Sequence, residues 1–169
     1  MSHQEIIQQL SNNLPVFESL LKEVSPEQAK WKPSEKAWSL IEVTNHLFDE
    51  ERDDFRTRLG LLLKDPNEEW PPIDPENWVT QKNYQGREFE SSRDNFFDER
   101  KKSIQWLLSL ENPNWKSTQH HPKFGSMVAE EMLANWLAHD FLHIRQITKL
   151  NWEFLNHKTE YGLNYAGDW

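Results

Sequence analysis

Two histidines stand four residues apart in Leu137-Ala138-His139-Asp140-Phe141-Leu142-His143-Ile144. On a helix this spacing places one side chain above the other, with Cβ atoms about 5–6 Å apart, so both imidazoles can converge on one cation. Zinc proteases use the same pair, with a glutamate directly after the first histidine as general base. Here Asp140 takes that place and Phe141 and Leu142 follow, which removes the protease chemistry. Leu133, Trp136, Ile147 and Leu150 fall near the same side of the helix. A polar ring buried there without a partner costs about 1–3 kcal/mol, and one metal ion would satisfy both. Taken alone, such a pair is more often a surface accident or two hydrogen-bonded core residues than a metal site. His46 changes that weighing. It lies between Val43 and Leu47, beside an apolar stripe of its own. Three neutral imidazoles with open positions suit zinc or another first-row divalent ion. Such an ion lowers the pKa of a bound water or polarises a substrate.

Other polar residues near these three have open roles. Glu50 lies four beyond His46 and is either a second partner of the site, a general base, or part of a charged exposed face, which is the favoured reading. Asp140 can accept from a histidine ring or bond between helices. Gln146 follows Arg145 and either bonds near the site or, as favoured, bonds between helices or to solvent. Trp38 is expected as a core anchor. His3 and His157 lie near the ends, and His120 and His121 precede Pro122 in a polar stretch, so these four stay outside the site.

Four helical segments must position these groups. The first opens at Ser2 with Glu5 three residues on, a capping box, and runs to Ser25-Pro26 with Pro15 expected to kink it. A connector holds Trp31-Lys32-Pro33. The second opens at Ser39, again with a capping glutamate, Glu42, and ends near Lys64-Asp65-Pro66; its stretch from Asp49 to Asp54 is read as an exposed acidic side. Residues 65 to about 87 form a long connection with four prolines and two tryptophans, read evenly as a cover over a site or as a connector packed by Trp70 and Trp78. The third runs from Glu88 or Ser91 to Leu110, where Asn112-Pro113-Asn114 breaks it. The fourth is expected from near Ser126 to Leu150 or Leu155, followed by an irregular tail. No segment alternates with period two, so the expectation is one all-α domain, a four-helix bundle with long connections.

Composition narrows the chemistry further. The 169 residues carry 19 basic and 28 acidic side chains, a net charge of -9 that opposes binding to nucleic acid or anionic lipid. No cysteine is present, which excludes disulfides, thiolate metal sites and a cysteine nucleophile. No signal peptide or membrane-length apolar run is visible, so the cytoplasm is the expected location.

Two stretches carry a family resemblance. Pro26-Glu27-Gln28-Ala29-Lys30-Trp31-Lys32-Pro33 with Ala37-Trp38-Ser39-Leu40-Ile41-Glu42-Val43-Thr44-Asn45-His46-Leu47 resembles the first signature of the DinB-like superfamily, and Ala138 to Ile147 resembles the second. The resemblance spans roughly residues 5 to 150. It implies a four-helix bundle with a divalent ion, nickel or zinc first and iron next, on three histidines matching His46, His139 and His143. It also implies a homodimer and, for some members, thiol transfer from a low-molecular-weight thiol to a small-molecule substrate. The reaction expected is thiol transfer or hydrolysis; the alternative is a non-catalytic, stress-related metal-binding or interaction module.

Overall fold

The computed structural model describes residues 1–121, 125–159 and 161–167. It is a four-helix bundle with one short hairpin. Helix α1, His3–Leu21, opens on the Ser2–Glu5 capping box and continues through Pro15 without ending there. A single-turn helix, α2 (Pro26–Lys30), occupies part of the connector and is capped by the Ser25 hydroxyl, which accepts from Gln28 N–H. Helix α3, Leu40–Asp49, starts at Ser39, whose N–H and hydroxyl both donate to Glu42 Oε2. It passes without a break into a π-helical segment, Glu50–Arg56, and then into α4, Thr57–Lys64. Together these form the second long rod of the bundle. The other two are α6, Phe89–Ser109, and α7, Ala129–Lys158.

The long connection is partly structured. It contains α5, Pro75–Gln81, and a 3-10 turn, Tyr84–Gly86. Trp78 is buried under Lys82, whose ammonium sits 3.9 Å from its ring centre. Tyr84 donates to Asp49 Oδ2 at 2.5 Å, which pins the connection to the end of α3.

The period-two reading fails at one place. Strands β1 (Thr118–His121) and β2 (Gly125–Val128) pair antiparallel, with Thr118 opposite Val128 and His121 opposite Gly125. Each has four residues, too few and too polar to show alternation. Ser126, Met127 and Val128 therefore belong to β2, and α7 starts at Ala129. At its other end α7 runs on to Lys158, past the expected Leu155. Gln119 donates to Glu68 O, so the hairpin is fastened to the long connection.

The buried interior has two apolar layers. One holds Ile6, Ile7, Leu10, Phe55, Leu59, Leu62, Leu107, Leu133 and Trp136. The other holds Phe17, Leu21, Leu40, Val43, Leu47, Phe96 and Ile147. On every rod the buried residues between these sets are polar, among them Asn13 on α1, Glu51 on the π segment, Arg100 on α6, and Asp140 with His143 on α7. Arg100 forms a bidentate pair with Asp140, Nη1 to Oδ2 at 2.7 Å and Nη2 to Oδ1 at 2.6 Å. Its Nε is 2.8 Å from Glu51 Oε1. Asn13 donates to Asp140 Oδ2 and Trp136 Nε1 donates to Glu51 Oε2. The four rods thus meet in one buried ionic layer.

Candidate metal centre

The three sequence-predicted histidines come together beside that layer. His46 hangs from α3 between Val43 and Leu47, both buried. His139 and His143 lie one turn apart on α7, with ring centres 4.3 Å apart. The His46 ring is 4.9 Å from that of His143 and 5.5 Å from that of His139. One nitrogen from each lies within 4.8 Å of the other two, so the group is positioned for a metal ion. His46 and His143 are buried and His139 is half-buried.

Burial sets the charge of these rings. It pushes His46 down to about 3, with the nearby His143 adding to the effect. Burial also drives His139 well below the usual imidazole range and lowers His143. All three are therefore neutral at pH 7, the form that offers a lone pair to a cation. Gln146 Oε1 lies 2.8 Å from His143 Nδ1 and accepts from it, which leaves the His143 Nε2 lone pair directed at His139 Nε2, 3.0 Å away. His46 Nδ1 is buried with no hydrogen-bond partner among the described residues. In the metal-free protein the His139 Nε2–H can donate into that lone pair, and a divalent ion taking the place of this proton would find three imidazoles converging on it.

The surroundings correct several readings. Gln146 does not simply meet solvent or a neighbouring helix; it bonds to His143. Trp38 packs against the second apolar layer, as an anchor should, and also sets its edge against His46 with ring centres 4.9 Å apart. Asp140 bonds between helices, to Arg100 and Asn13. The stretch from Asp49 to Asp54 is not an exposed acidic side: Asp49, Glu50 and Glu51 are buried. Burial first, and then Asp54 beside it, raises the Glu50 carboxyl to about 8. His120 and His121 stand apart from the three histidines. His121 lines a cavity on the far side of Phe55, whose ring is 5.1 Å from that of His139.

The sequence held one signal that went unused. His46, Glu50, Asp54 and Arg58 recur every four residues. An α-helix would rotate such a series steadily off one face, whereas the wider turn of the π segment turns it back. π-helical turns of this kind often occur at functional sites. The mouth of the three-histidine group is a cleft of about 680 Å³ whose lining includes Ser34, Lys36, Trp38, Gln146, Lys149 and Glu153.

Among known proteins, the family model of the DinB superfamily matches residues 9–147. A solved structure from Bacillus subtilis superposes with a TM-score of 0.79 at 20% identity, covering 91% of this chain and 90% of its own. That protein, YfiT, is described as "a probable metal-dependent hydrolase with an unusual four-helix bundle topology". No curated protein matches the sequence.

Proposed function

The chain belongs to the DinB superfamily, and from that premise we propose that it is a metal-dependent enzyme acting on a small molecule, with His46, His139 and His143 as the ligands of one divalent ion. The observation that carries the proposal is the convergence of three neutral imidazole nitrogens within 4.8 Å. Nickel or zinc fits this donor set first, with iron next, since imidazole accepts all three. A bound ion would supply Lewis acidity, making a water or an exogenous thiol nucleophilic near neutral pH.

The chain's own residues supply the rest. Gln146 holds the His143 ring in one tautomer by accepting from Nδ1. Trp38 restricts the His46 ring and walls one side of the cleft. Glu50, four residues beyond His46 on the same rod, has its carboxyl held well above the ordinary range by burial and by Asp54, which keeps a second negative charge off this stretch of the rod. Lys36 and Lys149 line the cleft and offer cationic contacts to a substrate entering it.

Hydrolysis is the reaction supported by the description of the Bacillus subtilis protein. Thiol transfer stands beside it on the family resemblance, and because the chain has no cysteine the thiol must arrive with the substrate. A homodimer belongs to the same proposal; Phe141 and Leu142, half exposed on α7, are the apolar surface that supports it. No helix among the described residues is long and apolar enough to cross a membrane.

The test is metal content of the purified chain beside a His143→Ala variant. About one ion per chain, lost or weakened at least tenfold in the variant, is the expected result. A chain that takes up no divalent ion after reloading overturns the proposal and leaves the reading of a non-catalytic interaction module.

A further inference from the structure

Past Phe55, the groove between the second rod and α7 opens into a separate cavity of about 350 Å³. Phe55, Trp70, Met127 and Met132 give it apolar walls, and their rings and thioethers suit an aromatic guest. The Phe55 ring, 5.1 Å from that of His139, stands between the cavity and the candidate metal centre. Asn135, at the mouth, is one turn before His139 on α7, about 6 Å of helix rise. One wall is the Trp70 segment of the long connection, with the hairpin beside it. That segment is fastened by Arg58 Nη2, which donates to Pro71 O, and by Gln119, which donates to Glu68 O.

The wall made by Arg58 and Trp70 holds two unmet donors. Arg58 Nε and Trp70 Nε1 are buried and without a hydrogen-bond partner among the described residues. The guanidinium carbon of Arg58 lies 5.1 Å from the Trp70 ring centre, so both donors belong to one patch. Arg58 as a whole is only 8% exposed. A buried donor left unmet costs about 1–3 kcal/mol, which an acceptor brought by a guest would recover. The charge of Arg58 is already matched, since its Nη1 stands 3.2 Å from Asp54 Oδ1. The patch therefore lacks an acceptor and not an anion, and burying a second negative charge beside Asp54 costs more than burying a neutral oxygen. Glu131 and Asn135 are exposed and meet water as readily as a guest, so they set no preference.

We propose that this cavity is a binding subsite for an uncharged aromatic group bearing a carbonyl oxygen, as in an aryl ketone, ester or amide, with that oxygen accepting from Arg58 Nε or Trp70 Nε1. Both nitrogens are closed off from water, so the oxygen seats by shifting the Trp70 segment away from the second rod. Phe55 keeps this oxygen apart from the histidines, which makes it a recognition group and not the reacting one. As a part of the substrate site the cavity rests on the metal-enzyme reading; as a binding site it does not.

The probes are acetophenone and isopropenylbenzene, which share a shape and differ only in a carbonyl oxygen against a methylene. The readout is the methionine methyl NMR spectrum. Met127 and Met132 both line the cavity, and Met1, the only other methionine, serves as the reference. Titrations are run on metal-free and zinc-loaded protein, with metal content measured separately. Both probes should move the Met127 and Met132 signals, and acetophenone should bind about fivefold more tightly or better, in keeping with one unmet donor being satisfied. Trp70→Phe and Arg58→Lys each remove one of the two donors, and in at least one variant the preference should fall while isopropenylbenzene keeps its affinity. A wall role alone would weaken both probes together. Equal binding of the two probes to the parent, a preference that survives both variants, or tighter binding of benzoate than of acetophenone overturns the subsite. Normal probe binding in a chain that takes up no metal upholds the cavity while removing the metal-enzyme reading.

Discussion

Gln146 Oε1 lies 2.8 Å from His143 Nδ1, and that one contact decides which ring nitrogen faces the other two histidines. A ring that donates from Nδ1 must present Nε2 as its lone pair. Loss of such a supporting acceptor from a metal-bound histidine typically costs 10–100-fold in affinity. Gln146→Ala should therefore weaken metal binding by about that range without unfolding the chain, since Gln146 is only partly buried. Gln146→Glu keeps the acceptor and adds charge, so it should retain or tighten binding. Competition against a chromophoric chelator measures both. An alanine variant that binds as tightly as the parent would show that the ring is oriented by packing alone. The convergence of His46, His139 and His143 was legible because helix spacing and apolar flanks are local properties. The role of Gln146 was not, because a residue three beyond a histidine looks the same whether its rotamer turns inward or outward.

The element that sequence periodicity misread is the segment after α3. Charged residues from Asp49 to Asp54 look like a solvated face if the helix keeps its ordinary pitch. The π segment changes the pitch, and the partners that make burial tolerable come from distant chain: Tyr84 for Asp49, Arg100 and Trp136 for Glu51. None of these pairs leaves a local trace. By contrast, the starts of α1 and α3 were legible from Ser2–Glu5 and Ser39–Glu42, because capping is satisfied within three residues. The misread segment also makes a pH prediction for the metal-free protein. Glu50 keeps its proton in the fold up to about 8, against an ordinary value of 4.5. Between those values the unfolded chain has lost a proton that the folded chain retains, so stability falls as pH rises, by at most about 1.4 kcal/mol per unit. Asp54 and Asp49 act in the same direction, and Arg58 opposes them. Glu50→Gln removes the penalty, and its amide N–H can keep donating to Asp54 as the protonated Glu50 carboxyl does. Its urea midpoint should match the parent near pH 4, exceed it increasingly up to about pH 8, and keep a constant advantage above. Parallel midpoints from pH 5 to 9 would mean that Glu50 ionises normally.

At the scale of the whole bundle, the ionic layer is the feature that most constrains the candidate site. Helix packing by apolar contact alone tolerates sliding and small rotations, since hydrophobic burial has no direction. Arg100 has a fixed fork: two hydrogen bonds tie it to Asp140 on α7, and its Nε side stands in ion-pair contact with Glu51 on the second rod. Asp140 directly follows His139, and Glu51 lies five beyond His46, so this one cation fixes the rotation of both rods that carry the histidines. The bond from Asn13 brings in α1 as well. The price of desolvating three charges makes such a layer a poor source of net stability, whereas removing one member leaves the others buried and unmatched, at about 3–5 kcal/mol. Arg100→Met should therefore destabilise the chain by that amount in urea unfolding, and a triple variant, Arg100→Met with Glu51→Gln and Asp140→Asn, should recover part of the loss because no uncompensated charge remains. If the layer serves to orient the histidines, the triple variant, although folded, should still bind metal less tightly than the parent. Recovery of both stability and metal affinity would reduce the layer to a tolerated ionic cluster, and the histidines would then owe their convergence to the two apolar layers on either side.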